Sequence, residues 1–155
     1  MGLVRTELIP EFLFRVAYML DEFRLEEFAE QFTDDGRYVL IPRENHVRKL
    51  PVSIIDDDKN RLLYRNDLIR KHWQYEPFRE NRMIGNVLVE RFDGAVAHVK
   101  SNFTVFHTTY EGSTKLHLAG VFNDELAAKD GAWRIRRRYA ILDTFLPTEA
   151  IVVPP

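Results

Sequence analysis

His107, Asp124 and Tyr139 have the types that acid–base chemistry on a small molecule needs: an imidazole and a carboxylate to exchange a proton, and a phenol to donate to a developing oxyanion. Such chemistry needs them on one surface, and strand parity decides whether they share it. Side chains on a strand alternate faces. In Ala95–Tyr110 the apolar face holds Ala95, Ala97, Val99, Phe103 and Val105 together with Ser101 and His107, which puts His98 outside. In Ser113–Leu126 it holds Leu116, Leu118, Phe122 and Leu126 together with Asp124, which puts His117 outside. In Ala132–Phe145, Trp133, Ile135, Tyr139, Ile141 and Phe145 share a face with Arg137, and Arg134, Arg136 and Arg138 take the other. The expected inward polar set is therefore Ser101, His107, Asp124, Arg137 and Tyr139. It has two readings. One is a pocket with a His107–Asp124 acid/base pair and Tyr139 as donor. The other is a set of groups that satisfy one another, Arg137 against Asp124, in a filled scaffold. Buried polar groups are usually paired for stability, which favours the scaffold.

A mononuclear iron site needs two histidines and a carboxylate converging on one point. With only His107 inward, these strands supply one histidine unless a bulge turns in another. The chain has no cysteine, which excludes disulfides, thiolate nucleophiles and an iron–sulfur cluster ligated within it. Nucleophile elbow, phosphate loop, Gly-rich dinucleotide turn and zinc-ligand spacing are all missing. Asp56-Asp57-Asp58 reads as the capped start of a helix rather than a metal site. The expectation is thus no catalytic, cofactor-binding or metal-binding residue in this chain.

The elements that must position these residues follow from periodicity. Pro10 opens a helix carried by Leu13, Val16, Ala17 and Leu20, and a second short helix shows Leu25, Phe28, Ala29 and Phe32 at the same spacing. Thr33 to Gly36 breaks it, and Arg37 to Pro42 is a short strand. Arg43 to Ile55 has no clean period and reads as a long loop before a third helix that ends near Trp73. After Pro77 the chain turns to strands at Met83–Phe92, Ala95–Tyr110, Ser113–Leu126 and Ala132–Phe145, with Asp93-Gly94 as a hairpin signal. Helices followed by a meander predict an α+β fold, with three N-terminal helices packed on one face of a strongly curved, mostly antiparallel sheet.

A chain of 155 residues suits a single domain, 1–155, and its apolar share of 45% supplies a full core. The net charge of −2 gives no basic excess for nucleic acid or a membrane surface. No apolar run approaches the ~20 residues of a membrane span. Glu7 and Glu11 interrupt the first apolar stretch, unlike a secretory signal, so a cytoplasmic protein is expected.

Short motifs in this order resemble a known family. Leu20-Asp21, Phe32-Thr33-Asp34-Asp35, Tyr38, Pro42, Asp56 to Lys59, Trp73, Glu76-Pro77, Asn86-Val87, Ser101-Asn102-Phe103, Gly120-x3-Asp124-x-Leu126, then Trp133, Arg138 and Leu142-Asp143 are similar to the landmarks of the small (β) subunits of aromatic-ring-hydroxylating dioxygenases, the Rieske non-haem iron oxygenases. Around Phe78-Arg79-Glu80-Asn81-Arg82-Met83 the chain departs from the family's pattern. The resemblance implies a cone-shaped fold like nuclear transport factor 2 and ketosteroid isomerase. It implies a non-catalytic assembly role, with a homotrimer docked to catalytic α subunits as an α3β3 hexamer. It implies that the Rieske 2Fe-2S cluster and the mononuclear Fe(II) belong to the α subunit. Trp73, Glu76, Arg79, Arg134, Arg136 and Arg138 become the candidate subunit contacts. A free-standing isomerase or dehydratase using His107, Asp124 and Tyr139 is the alternative.

Overall fold

Pro10 sits in the first turn of α1 (Ile9–Asp21), whose inward stripe of Ile9, Leu13, Val16, Ala17 and Leu20 is buried. Full burial of each large aliphatic side chain is worth about 1.5–3 kcal/mol. The helix stops where Phe23 takes a left-handed conformation at φ 59° and the Arg24 amide donates back to the Met19 carbonyl. The Phe23 ring then packs against Tyr75 and Phe78. The computed structural model describes residues 4–147 and 149–155. A 3-10 turn (Thr6–Leu8) precedes α1, and α2 (Leu25–Glu30) buries Leu25, Phe28 and Ala29.

β1 spans Phe32–Pro42, earlier and longer than expected, because Thr33 to Gly36 extends the strand rather than breaking the chain. The stretch expected as a loop opens with a short helix, α3 (Arg43–Val47), too brief to show a period. Asp56 and Asp57 do not cap a helix. They lie in an edge strand, β2 (Ile55–Asp58), antiparallel to β1, where Arg37 and Arg65 neutralise them. Asp58 does cap α4 (Lys59–Lys71), its Oδ1 accepting from the Arg61 amide at 2.8 Å. The described helices are therefore one 3-10 turn and four α-helices, not three.

The strands β3 (Phe78–Phe92), β4 (Val96–Thr109), β5 (Thr114–Lys129) and β6 (Ala132–Leu142) form the expected meander. The six-stranded order is β2-β1-β6-β5-β4-β3, antiparallel throughout except for the parallel pair β1–β6. The parallel pair carries the crossover that the intervening elements supply. The helices cover one face of the sheet, and the space between is filled. Phe103 and Phe122 stack with centroids 4.3 Å apart, and Phe28, Phe32 and Tyr38 pack edge to face.

Candidate functional site

Arg138 and Asp124 face one another in the β5–β6 register. The guanidinium grips the carboxylate with two bonds of 2.8 Å, Nε to Oδ1 and Nη2 to Oδ2, and lies 4.0 Å over the Phe122 ring. Both side chains are buried, at 3% and 0% exposure. Burial works against the charged guanidinium, but the field of Asp124 and its hydrogen bonds outweigh this and hold the Arg138 pKa above its ordinary value.

This geometry reverses the parity read from sequence. Leu126 pairs with Ile135, but Glu125 pairs with Arg137, so Arg136 is an extra residue in β6. One inserted residue flips every side chain after it. Arg137 therefore points out and is exposed, Arg138 points in, and Tyr139 moves to the outer face. There Tyr139 packs with Val39, Ile41 and Ile141 and meets the His46 ring at 5.7 Å. The partner of Asp124 is Arg138, not Arg137.

A second bulge acts on β5. Val105 pairs with Leu118 and Phe106 with Leu116, which leaves His117 as the extra residue. Its side chain is 2% exposed, where parity placed it outside. His117 and His107 lie with ring centroids 5.4 Å apart, both near Glu80: His107 Nδ1 is 3.7 Å and His117 Nε2 is 4.0 Å from Glu80 Oε1. These separations exceed hydrogen-bond length. Burial lowers the His117 pKa, against the attraction of Glu80. Glu80 Oε2 is held by Arg82 at 2.6 Å, and Arg82 also donates to Asp21 Oδ1 at 2.6 Å and to the Pro154 carbonyl at 2.8 Å. Asp21, the last residue of α1, accepts from the Arg82 amide as well.

The segment Ile151–Pro155 closes this end of the sheet. Val153, Pro154 and Pro155 are buried, and Tyr38 Oη donates to the Pro155 carbonyl at 2.8 Å. Burial pushes the Tyr38 phenol far above its usual pKa, so it stays a neutral donor. The inward carboxylates and the Tyr38 hydroxyl are thus engaged, whereas His107 Nδ1, His117 Nδ1 and Arg82 Nε are buried without a hydrogen-bond partner among the described residues.

The acid/base set expected from sequence does not assemble. Asp124 is engaged by Arg138, His107 stacks on Phe78 at 4.8 Å and faces Glu80, and Tyr139 lies on the other face of the sheet. Ser101 is buried without a hydrogen-bond partner among the described residues. No group of three His, Cys, Asp or Glu side chains among those residues is arranged to hold a metal ion. Of the residues expected at subunit contacts, Trp73, Glu76, Arg79 and Arg136 are exposed and Arg134 is half-buried, its Nη1 donating to the Trp133 carbonyl. Arg138 lies inside and offers nothing to a second surface. Sequence reasoning missed Glu80, Arg82 and His117. Their signal was weak: Glu80 and Arg82 share a parity inside a stretch that reads as polar on both faces.

Known proteins place this chain in a family. A family model described as "Ring hydroxylating beta subunit" matches residues 15–147. The small subunit of anthranilate 1,2-dioxygenase from Burkholderia cepacia is 31% identical over 127 residues, 81% of this chain and 78% of that one. The crystal structure of a β subunit assigned to an aromatic-ring-hydroxylating dioxygenase of Novosphingobium aromaticivorans superposes with a TM-score of 0.86 at 28% identity, covering 96% of this chain and 95% of that one. A chain assigned as a scytalone dehydratase from the same organism gives a TM-score of 0.70 at 18% identity, over 96% of this chain and 91% of that one, a likeness of fold alone. That fold serves enzymes and subunits alike, so the fold does not choose between them. The family model and the anthranilate relative do: this chain belongs to the ring-hydroxylating dioxygenase β-subunit family.

Proposed function

We propose that this chain is a non-catalytic assembly subunit that supports catalytic α subunits in dihydroxylating an aromatic compound. The observation that carries the reading is that the buried carboxylates are spent: Asp124 is held by Arg138, Glu80 and Asp21 by Arg82, and the Tyr38 hydroxyl and Arg82 Nη2 donate to the carbonyls of Pro155 and Pro154. A general acid or base must reach a substrate proton, and these groups reach one another instead. In this reading the Rieske 2Fe-2S cluster and the mononuclear Fe(II) sit on the α subunit, the β chains form a homotrimer, and the complex is an α3β3 hexamer in the cytoplasm. Trp73, Glu76, Arg79, Arg134 and Arg136 remain the candidate contacts. No helix among the described residues is long and apolar enough to cross a membrane.

The test is co-expression with a catalytic α chain. The expected result is a stable complex of equal stoichiometry, with iron and turnover that require the α chain, and a trimeric mass for the β chain alone. A β chain that stays monomeric and ignores the α chain, or that catalyses an isomerisation or dehydration alone, overturns the reading.

A further inference from the structure

Ile151–Pro155 is held to the fold by side chains rather than by a backbone ladder. It forms no helix or strand, and among the described residues none of its backbone groups bonds to the backbone of another element. Tyr38 Oη donates to the Pro155 carbonyl and Arg82 Nη2 to the Pro154 carbonyl, both at 2.8 Å. Tyr38 stands on β1 and Arg82 on β3, with β6, β5 and β4 between them in the sheet. Two neighbouring carbonyls therefore reach both sides of the curled sheet, and the segment lies across the mouth of the fold. Val153 is buried in the main core, and Ile151 and Val152 pack half-buried against it. The chain leading in, Asp143 to Leu146, is exposed and has neither helix nor strand. A segment with so few backbone bonds opens at lower free energy than the strands it covers.

Opening leaves two buried donors unpaired, which is costly unless acceptor oxygens take the same places. The charge around Arg82 selects which acceptors. Its side chain is 1% exposed and already lies between two carboxylates, Asp21 and Glu80, each at 2.6 Å. A third carboxylate would meet two like charges for one guanidinium. The strap's own oxygens are neutral carbonyls, and they show what the site accepts. His107 and His117 flank Glu80 on the same wall, and Nδ1 of each, like Arg82 Nε, is buried with no partner among the described residues. This wall therefore has more hydrogen-bonding capacity than the strap uses.

We propose that Ile151–Pro155 is a displaceable strap over a latent pocket, and that the pocket takes a small neutral carbonyl compound with an apolar body, its oxygen replacing the strap's carbonyls on Tyr38 and Arg82. The proposal concerns binding alone and stands apart from the assembly reading. Ligands make such minor open states dominant by binding them in preference to the closed one. The test uses full-length Val153→Cys, whose thiol is unique because the chain has no other cysteine. The probes are acetophenone, a neutral aromatic ketone, and benzoate, nearly the same shape but charged. The rate of thiol labelling should be slow without a probe and rise roughly tenfold or more with acetophenone, while benzoate leaves it unchanged. An unchanged rate with acetophenone overturns the latent pocket. Labelling as fast without a probe as in the urea-unfolded chain overturns the seated strap. An equal or greater response to benzoate overturns the neutral-carbonyl class. Hydrogen exchange of the unmodified chain gives a second reading if the variant fails to fold. Acetophenone should speed exchange at Ile151, Val152 and Val153 and leave β4 and β5 protected, whereas faster exchange throughout means general loosening and overturns the proposal.

Discussion

The Arg138 guanidinium holds Asp124 bidentately at 2.8 Å across β5 and β6, with neither side chain reaching solvent. Removing one member of such a pair leaves an uncompensated buried charge, which costs about 3–5 kcal/mol, whereas replacing both with apolar residues is often near neutral. Asp124→Ala should therefore destabilise by roughly that amount, and the double variant Asp124→Leu/Arg138→Met should recover most of it. Urea unfolding checks both, and a single variant within about 1 kcal/mol of the unmodified chain would remove the pair from the account of what holds the sheet together.

Gly120 predicts a second sharp loss. A Cβ built there collides with the Ile141 carbonyl oxygen and meets the Phe103 ring at 2.9 Å, and the oxygen belongs to backbone that cannot swing aside. Overpacking ordinarily costs about 1–3 kcal/mol. Gly120→Ala should sit at or above the top of that range, with thermal unfolding as the readout. The run Gly120, Asp124, Leu126 then has a single physical meaning: close approach of β6, the anchor for Arg138, and a fully buried core side chain.

Tyr38 offers a local test of the closing segment. Its hydroxyl donates to the Pro155 carbonyl inside the core. Tyr38→Phe keeps the ring against Phe28 and Phe32 but removes the donor. The expected cost is about 0.5–1.5 kcal/mol, with faster hydrogen exchange confined to the stretch from Ile151 to Val153. Unchanged exchange there would show that burial of Val153 alone seats the segment.

Much of the fold was legible because α1 and the meander carry long, clean periods: Leu13, Val16, Ala17 and Leu20 on the helix, and alternation on β4 and most of β5. The polar interior was not, because two bulges break the count. Alternation counted forward from Trp133 puts Arg137 inside, and counted back from Leu142 it puts Arg138 inside. That conflict marks the inserted residue, Arg136, and the misplaced arginine was its visible trace. His117 left no such trace, since Leu116 and Leu118 are apolar on either side of it and alternation reads through the bulge. Asp56 and Asp57 were misread for another reason: carboxylates before a helix favour capping, but Arg37 and Arg65, distant in sequence, make an acidic edge strand stable.

His117 makes stability depend on pH in a defined direction. Burial, helped by the neighbouring His107 and Arg82 and opposed by Glu80, lowers its pKa below the ordinary histidine value of about 6.5, so the folded chain binds its proton less readily than the unfolded chain. Stability rises with pH wherever the unfolded state holds more protons. The contribution of His117 is therefore present above about pH 6.5 and is lost as pH falls through its lower folded pKa. His117→Gln removes the titration while keeping a polar side chain. The unmodified chain should lose more stability than His117→Gln between pH 7.5 and 5 (both ~) in unfolding measured at several pH values. Parallel curves would mean that His117 does not set the acid limit. A steeper curve for the variant would reverse the sign and show that the buried imidazole carries its proton in the fold.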